Sequence, residues 1–217
     1  MFPPSPVPSP SSPPAPGSSR RLGALAGVAA GLALVGAVVG HWHPAPPLPV
    51  LGALPAFLLE GHDGGPVSLE TLRGRPFVAD FIFTTCAGLC PAMTARMAQL
   101  QKRLPPGVAM VSFTVDPEHD TPQALSRYAQ AFGAGPSWRF VTGSRETLYR
   151  LATQGFKLAA LEIPKDQQQP GSDGPFLHSS KFVLVDGVGR IRGYYDSEDS
   201  QALERLVSDA AGCEGAS

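Results

Sequence analysis

The chain has 217 residues, with 24 Gly, 24 Pro and only 16% charged residues. Lys and Arg number 17 against 18 Asp and Glu, a near balance that excludes the basic signature of a nucleic-acid-binding protein. Three cysteines, Cys86, Cys90 and Cys213, are too few to staple a chain of this size, so they mark a site or are incidental.

Residues 1–19 are almost entirely Pro, Ser, Ala, Gly and Val, which cannot bury enough apolar surface to offset the entropy of ordering, so a disordered arm is expected. From Leu22 to Gly40 no residue is charged. At about 1.5 Å of rise per residue this run nearly matches a hydrocarbon core of roughly 30 Å, which predicts a transmembrane anchor over 20–41. Arg20 and Arg21 are the only charged residues before residue 60. The positive-inside rule therefore puts the N-terminus in the cytoplasm and the following domain on the periplasmic or extracytoplasmic side of the cell membrane, in a single-pass arrangement. No A-x-A site follows Gly40, so the anchor is read as uncleaved. Gly23, Gly27 and Gly31 recur at the spacing that lets membrane helices approach closely, and the expected state is a monomer or weak dimer. Residues 42–55, rich in Pro, read as an extended linker to a domain over 56–212.

In that domain, Ala56–Glu60 and Pro66–Ser68 flank the turn signal His62-Asp63-Gly64-Gly65 and predict a hairpin. Phe77–Phe83 is a buried central strand, Thr94–Leu104 a helix stopping at Pro105-Pro106-Gly107, and Val108–Val115 the next strand. Pro122–Phe132 reads as a helix, Trp138–Val141 as a strand, Arg145–Gln154 as a helix and Phe156–Leu161 as a strand. Lys181–Asp186 and Arg190–Tyr195 form a hairpin through Asp186-Gly187-Val188-Gly189, and Ser200–Ala211 closes the domain as a helix. Alternating strands and helices predict an α/β fold, a central sheet flanked by helices. Cys213 is expected in a frayed tail, with no role.

The chemistry concentrates in Phe81-Ile82-Phe83-Thr84-Thr85-Cys86-Ala87-Gly88-Leu89-Cys90-Pro91, where a buried strand runs out into two cysteines at the mouth of a helix. Amides and the positive dipole end at a helix N-terminus favour thiolate, making sulfur nucleophilic and metal-binding. Cys86 is expected to be the more exposed and Cys90 the deeper. If both are helical, four residues turn the chain by about 400° and leave both side chains on one face, able to share a soft metal ion or to close into a disulfide. Two thiolates leave a metal site incomplete. His41 and His43 belong to the expected membrane interface, and His62 and His119 sit in polar turns. His178 follows a long polar loop and immediately precedes an apolar strand, which makes it a candidate third ligand.

The run FIFTTCAGLCPAMTARMAQLQKRL, then VSFTVDPEHDTPQALSRYAQAFG, then FLHSSKFVLVDGVGRIRGYYDS, resembles the Sco/SenC family of thioredoxin-like copper proteins over about residues 55–210. The resemblance implies a thioredoxin-like fold, a single N-terminal membrane helix, and one copper, Cu(I) or Cu(II), held by Cys86, Cys90 and His178. It implies a metallochaperone for the dinuclear copper centre of cytochrome c oxidase, with oxidase subunit II or a similar copper-receiving protein as partner and a copper donor chaperone as a further candidate. Thiolates suit Cu(I), and added imidazole extends the set to Cu(II). The alternative is a thiol–disulfide oxidoreductase reducing the cysteines of the same client or of another exported protein. For that chemistry Cys86 and Cys90 are the candidate catalytic thiols. Asp80, six residues before Cys86, stands where thioredoxins carry a buried carboxylate that accepts a proton from the second cysteine. Ala87-Gly88 replaces the family's common Pro-Asp, and Leu177 stands where an Asp is common. Asp116 and Asp120 match the family's acidic turn and read as partner-facing residues or as a helix cap.

Overall fold

The computed structural model describes residues 47–158, 160–162 and 176–213. The arm and the anchor expected at 20–41 lie outside them, and among the described residues no helix is long and apolar enough to cross a membrane.

The strands are β1 (Gly52–Ala53), β2 (Leu58–Gly61), β3 (Pro66–Ser68), β4 (Phe77–Ile82), β5 (Ala109–Thr114), β6 (Trp138–Thr142), β7 (Ala160–Glu162), β8 (Phe176–His178), β9 (Lys181–Val185) and β10 (Arg190–Asp196). Helices are α1 (Leu69–Leu72), α2 (Leu89–Gln101), α3 (Pro122–Ala131), α4 (Arg145–Arg150) and α5 (Ser200–Cys213). Eight strands form one sheet in the order β1-β10-β9-β4-β5-β6-β2-β3, and β7 and β8 pair separately. The three central strands β4, β5 and β6 are parallel, while β9 runs antiparallel to β4. Crossover helices explain the parallel core, since parallel neighbours need a long connection that covers a sheet face.

Every residue of β4 and β5 is buried, which is why both segments read as continuous apolar runs broken only by Asp80, Ser112 and Thr114. Alternation sorts their side chains between the two faces. Phe81 and Phe113 stack at 5.2 Å, with Phe57 and Phe156 against Phe113 at 5.9 and 5.4 Å, so one face carries an aromatic cluster. Burying each such ring contributes roughly 1.5–3 kcal/mol, and truncating Phe113 would leave a cavity at its centre. Asp80 and Ser112, one residue before each stacked ring, point to the other face. There the rings of Trp138, Phe140 and Tyr128 lie 4.9 and 6.0 Å apart in sequence of contact.

The structure departs from the expected elements at four places. Helix α2 begins at Leu89, so it takes in Cys90 and leaves Cys86 in the preceding turn. The helix from Arg145 changes at Leu151 into a π-helical turn that runs to Gly155, and Phe156 ends that turn instead of opening a strand. Phe156 is drawn into the aromatic cluster, so the core takes a residue whose local sequence suits a strand, and β7 starts only at Ala160. Near the front, Gly52 and Ala53 pair with Ile191 and Arg190, so part of the segment expected as a spacer is an edge strand. Cys213 is the last residue of α5 and is buried with Ala202, Leu206 and Ala210, because the amphipathic stripe of that helix extends one turn further than expected.

Candidate functional site

At the C-terminal edge of β4 the chain leaves the sheet through Phe83, Thr84 and Thr85 and turns so that the Cys86 N–H donates to Phe83 O at 3.3 Å. Gly88 is the N-cap of α2 and supplies no side chain to its free amides. The Cys86 sulfur does so instead, accepting from the Cys90 N–H at 3.4 Å. A sulfur thus occupies the place of the usual capping oxygen, which holds both cysteines at the positive end of the helix. Neither takes part in a disulfide.

Cys86 is the more exposed of the two, as expected, yet at 5% and 0% exposure both are buried. For Cys90 the expected lowering of the thiol pKa is reversed. Burial pushes it far up, outweighing a hydrogen bond from the Phe83 backbone, and the Cys86 sulfur and Asp80 push the same way. Helix-end stabilisation needs a solvent-facing sulfur to dominate, and Cys90 is packed under the first turn. Thr94 donates to the Cys90 carbonyl at 2.8 Å, and its hydroxyl lies 3.1 Å from that of Tyr128.

Asp80 is fully buried, and neither carboxylate oxygen has a partner at ordinary hydrogen-bond geometry. Burial lifts its pKa to about 7, against a smaller downward pull from the nearby Ser112 hydroxyl and its own amide. The structure therefore brings Asp80, Cys86 and Cys90 together at one end of β4.

His178 ends β8, where it pairs with Ala160. Lys181 opens β9 three residues later, and β9 runs antiparallel to β4 with Val183 opposite Ala79. The backbone thus enters β9 at the sheet edge from which β4 runs out toward Cys86. The His178 side chain lies outside the described residues, and among the described ones no three His, Cys, Asp or Glu side chains form a group able to hold a metal.

The acidic turn is not partner-facing: Asp116 and Asp120 are 2% and 0% exposed. Nor does Asp120 cap α3, since Thr121 does, accepting from the Ala124 N–H at 3.2 Å ahead of Pro122. Asp120 instead accepts from the Thr84 amide at 3.1 Å, and from the Thr84 and Thr114 hydroxyls at 2.5 Å each. Burial raises its pKa, and these hydroxyl bonds oppose the rise. The exposed His119 lies 2.8 Å from Asp116. His62 is not a solvated turn residue, because its Nδ1 accepts from the Phe140 N–H at 3.1 Å. It lines a groove of about 450 Å³ with Glu60, Asp63 and Arg127, to which neither cysteine contributes. Sequence reasoning missed Thr84, Thr94 and Tyr128. The one available signal was the pair of threonines between a buried strand and Cys86, polar residues at a position where a strand end must find partners for its amides.

Sheet and site define a thioredoxin-like protein with a cysteine pair, not joined in a disulfide, at the mouth of a helix. A family model described as SCO1/SenC matches residues 52–210, and the chain belongs to that family. A Bacillus subtilis protein named SCO1 protein homolog is 36% identical over 158 residues, covering 70% of this chain and 78% of that one. A Stutzerimonas stutzeri protein named as copper-binding is 34% identical over 151 residues, covering 68% of this chain and 71% of its own. The solved structure of BsSco is described as a Sco-family cytochrome c oxidase assembly protein with a disulfide switch. It is similar with a TM-score of 0.66 at 33% identity, covering 78% of this chain and 98% of that one.

Proposed function

We propose that this chain is a copper metallochaperone that takes one copper ion through Cys86, Cys90 and His178 and passes it to the dinuclear copper centre of cytochrome c oxidase. The observation that carries the reading is the sulfur pair. Two cysteines not joined in a disulfide meet at an amide-rich helix end, Cys90 N–H to Cys86 Sγ at 3.4 Å, next to the sheet edge where the His178 segment enters. Sulfur and imidazole are donors that Cu(I) and Cu(II) both accept. The copper is cargo, so a site built on a turn and a strand end, where a short loop segment can give way, suits release as well as capture. The names of the relatives support copper and oxidase assembly as the setting. With 20–41 as an uncleaved anchor and the N-terminus in the cytoplasm, the domain would work at the outer membrane surface beside oxidase subunit II.

Asp80 favours a second reading. In thiol–disulfide exchange Cys86 attacks a client disulfide, and Cys90 then displaces the client thiolate, leaving Cys86–Cys90 oxidised and the client reduced. A buried carboxylate that titrates about neutrality beside Cys90 can take the proton that this second step releases. Titration of the reduced protein with Cu(II), followed by absorption spectroscopy, tests the first reading. A thiolate-to-copper charge-transfer band saturating at one equivalent is the expected result, and its absence leaves a bare dithiol.

A further inference from the structure

The segment that carries Cys86 is tied down from outside its own loop. Thr84 stands two residues before Cys86 and gives both its donors to one carboxylate: its amide and its hydroxyl each bond to Asp120, at 3.1 and 2.5 Å. Asp120 also takes the Thr114 hydroxyl at 2.5 Å, from the end of β5, and Thr114 in turn accepts from the Asp116 N–H at 2.9 Å. Both carboxylate oxygens are therefore committed, one residue being fully buried and the other part-buried. Because Thr84 N–H lies past the last residue of β4, it has no ladder partner of its own, and Asp120 replaces that partner. The latch spans two loops at the same sheet edge, one leading to Cys86 and the other leading to α3.

We infer that Asp120 is a positioning residue that acts through Thr84 to hold the Cys86 end of the dithiol in place, so that Cys86 stays over the first turn of α2 and ready to bind copper. The copper part of this inference rests on the function proposed above. The latch itself does not, because it fixes the sulfur whether or not an ion is bound. A carboxylate is suited to the role, since it only accepts. An amide in its place presents two N–H donors to two groups that are themselves donors, and at least one bond of the latch is lost.

The test uses the full chain, reduced and free of metal, with three variants. Thr84→Val keeps the shape and amide of Thr84 but removes the hydroxyl, Thr84→Ser keeps both donors and loses a methyl, and Asp120→Asn removes the all-acceptor group. Iodoacetamide labelling of Cys86 is followed by peptide mass spectrometry, and Cu(I) affinity by competition with a chromogenic chelator. Losing a hydrogen bond to a charged group predicts labelling about fivefold or more faster in Thr84→Val and Asp120→Asn, with Cu(I) binding weaker by a similar factor, while Thr84→Ser stays within about twofold of wild type. A site held by packing alone reverses the order, with Thr84→Ser the damaged variant and Thr84→Val tolerated, and that order overturns the inference. So does wild-type labelling in Thr84→Val, which also decides the matter if Asp120→Asn does not fold. Faster Cys86 labelling in Thr84→Val, together with a wild-type chain that binds no copper in any form, would keep the latch and remove the copper function. Tight wild-type copper binding left unchanged by Thr84→Val would do the opposite.

Discussion

The indole of Trp138 donates to the Ser112 hydroxyl at 2.9 Å, and Ser112 lies directly opposite Asp80 in the β4–β5 register. The Ser112 hydroxyl beside the buried carboxylate is thus fixed from the far side. It eases the burial of Asp80 without cancelling it.

Asp80 should make the stability of the domain depend on pH. Its folded pKa of about 7 lies above the unfolded 3.8, so between these values the native state holds a proton that the unfolded chain has released. The contribution is fully present below 3.8 and is lost as pH rises through about 7. A shift of about three units sets a ceiling of ~4 kcal/mol. In Asp80→Asn the dependence disappears, and the difference in Tm between variant and wild type should move in favour of the variant on going from about pH 5 to about pH 8. A constant difference across that range would mean that Asp80 does not titrate there.

His178→Ala separates the two functional readings. Copper handling needs the imidazole, so the expected outcome is loss of the charge-transfer band with loss of oxidase assembly. Exchange chemistry needs only the sulfurs. A His178→Ala protein that supports assembly while failing to hold copper would move the assignment to the dithiol, whereas Cys86→Ala and Cys90→Ala should fail in both respects.

Asp186 is another buried carboxylate, with electrostatics opposite to those of Asp80. Burial pulls its pKa upward, but the Arg190 amide and guanidinium and the Arg192 guanidinium outweigh it and leave the carboxyl below its usual range. Its contribution is present above the unfolded 3.8 and is lost as pH falls through the folded value. Asp186→Asn removes the counter-charge of Arg192, which is 8% exposed, and should cost about 3–5 kcal/mol in denaturant unfolding.

Arg192 also reaches the front of the domain, donating to Pro49 O at 3.1 Å and to Leu48 O. Arg192→Met should therefore loosen the first described residues before anything else. Hydrogen exchange at the Leu51 and Leu54 amides, which bond to Ile191 and Gly189, is expected to accelerate about tenfold while β4 and β5 keep their protection.

Cys213 should be silent in the native state. It is 3% exposed, and burial raises its thiol pKa, so Ellman's reagent should reach it only when the end of α5 opens. Labelling of Cys213 at the rate of a free thiol peptide would contradict its place in the core.

The order of elements was legible from hydrophobic runs and breakers, since Phe77–Ile82 and Ala109–Thr114 are buried throughout and Asp186-Gly187-Val188-Gly189 is a turn in sequence and in space. There the requirement for glycine is physical: Gly189 has φ +83°, and a Cβ on Gly187 would stand 2.9 Å from the Gly74 backbone. The two cysteines and Asp80 were legible as well, from spacing and from a charge within an apolar strand. The burial of Cys86, Cys213, Asp116 and Asp120 was not. Polarity and nearness to a terminus predict exposure residue by residue, whereas burial here follows from partners 36 residues away, as with Thr84 and Asp120. Phe156 failed for a related reason, because ring contacts with Phe81 and Phe113 override its preference for a strand.

Between β9 and β10, Ile191 faces Val185 while Gly193 faces Leu184, so residue 192 has no opposite number. Such a supernumerary residue kinks its strand and swings its side chain out of the alternating pattern, which is how the guanidinium comes to face the incoming chain. Excising position 192 would leave a straight hairpin with every rung intact, and a domain whose leading segment has lost its fastener.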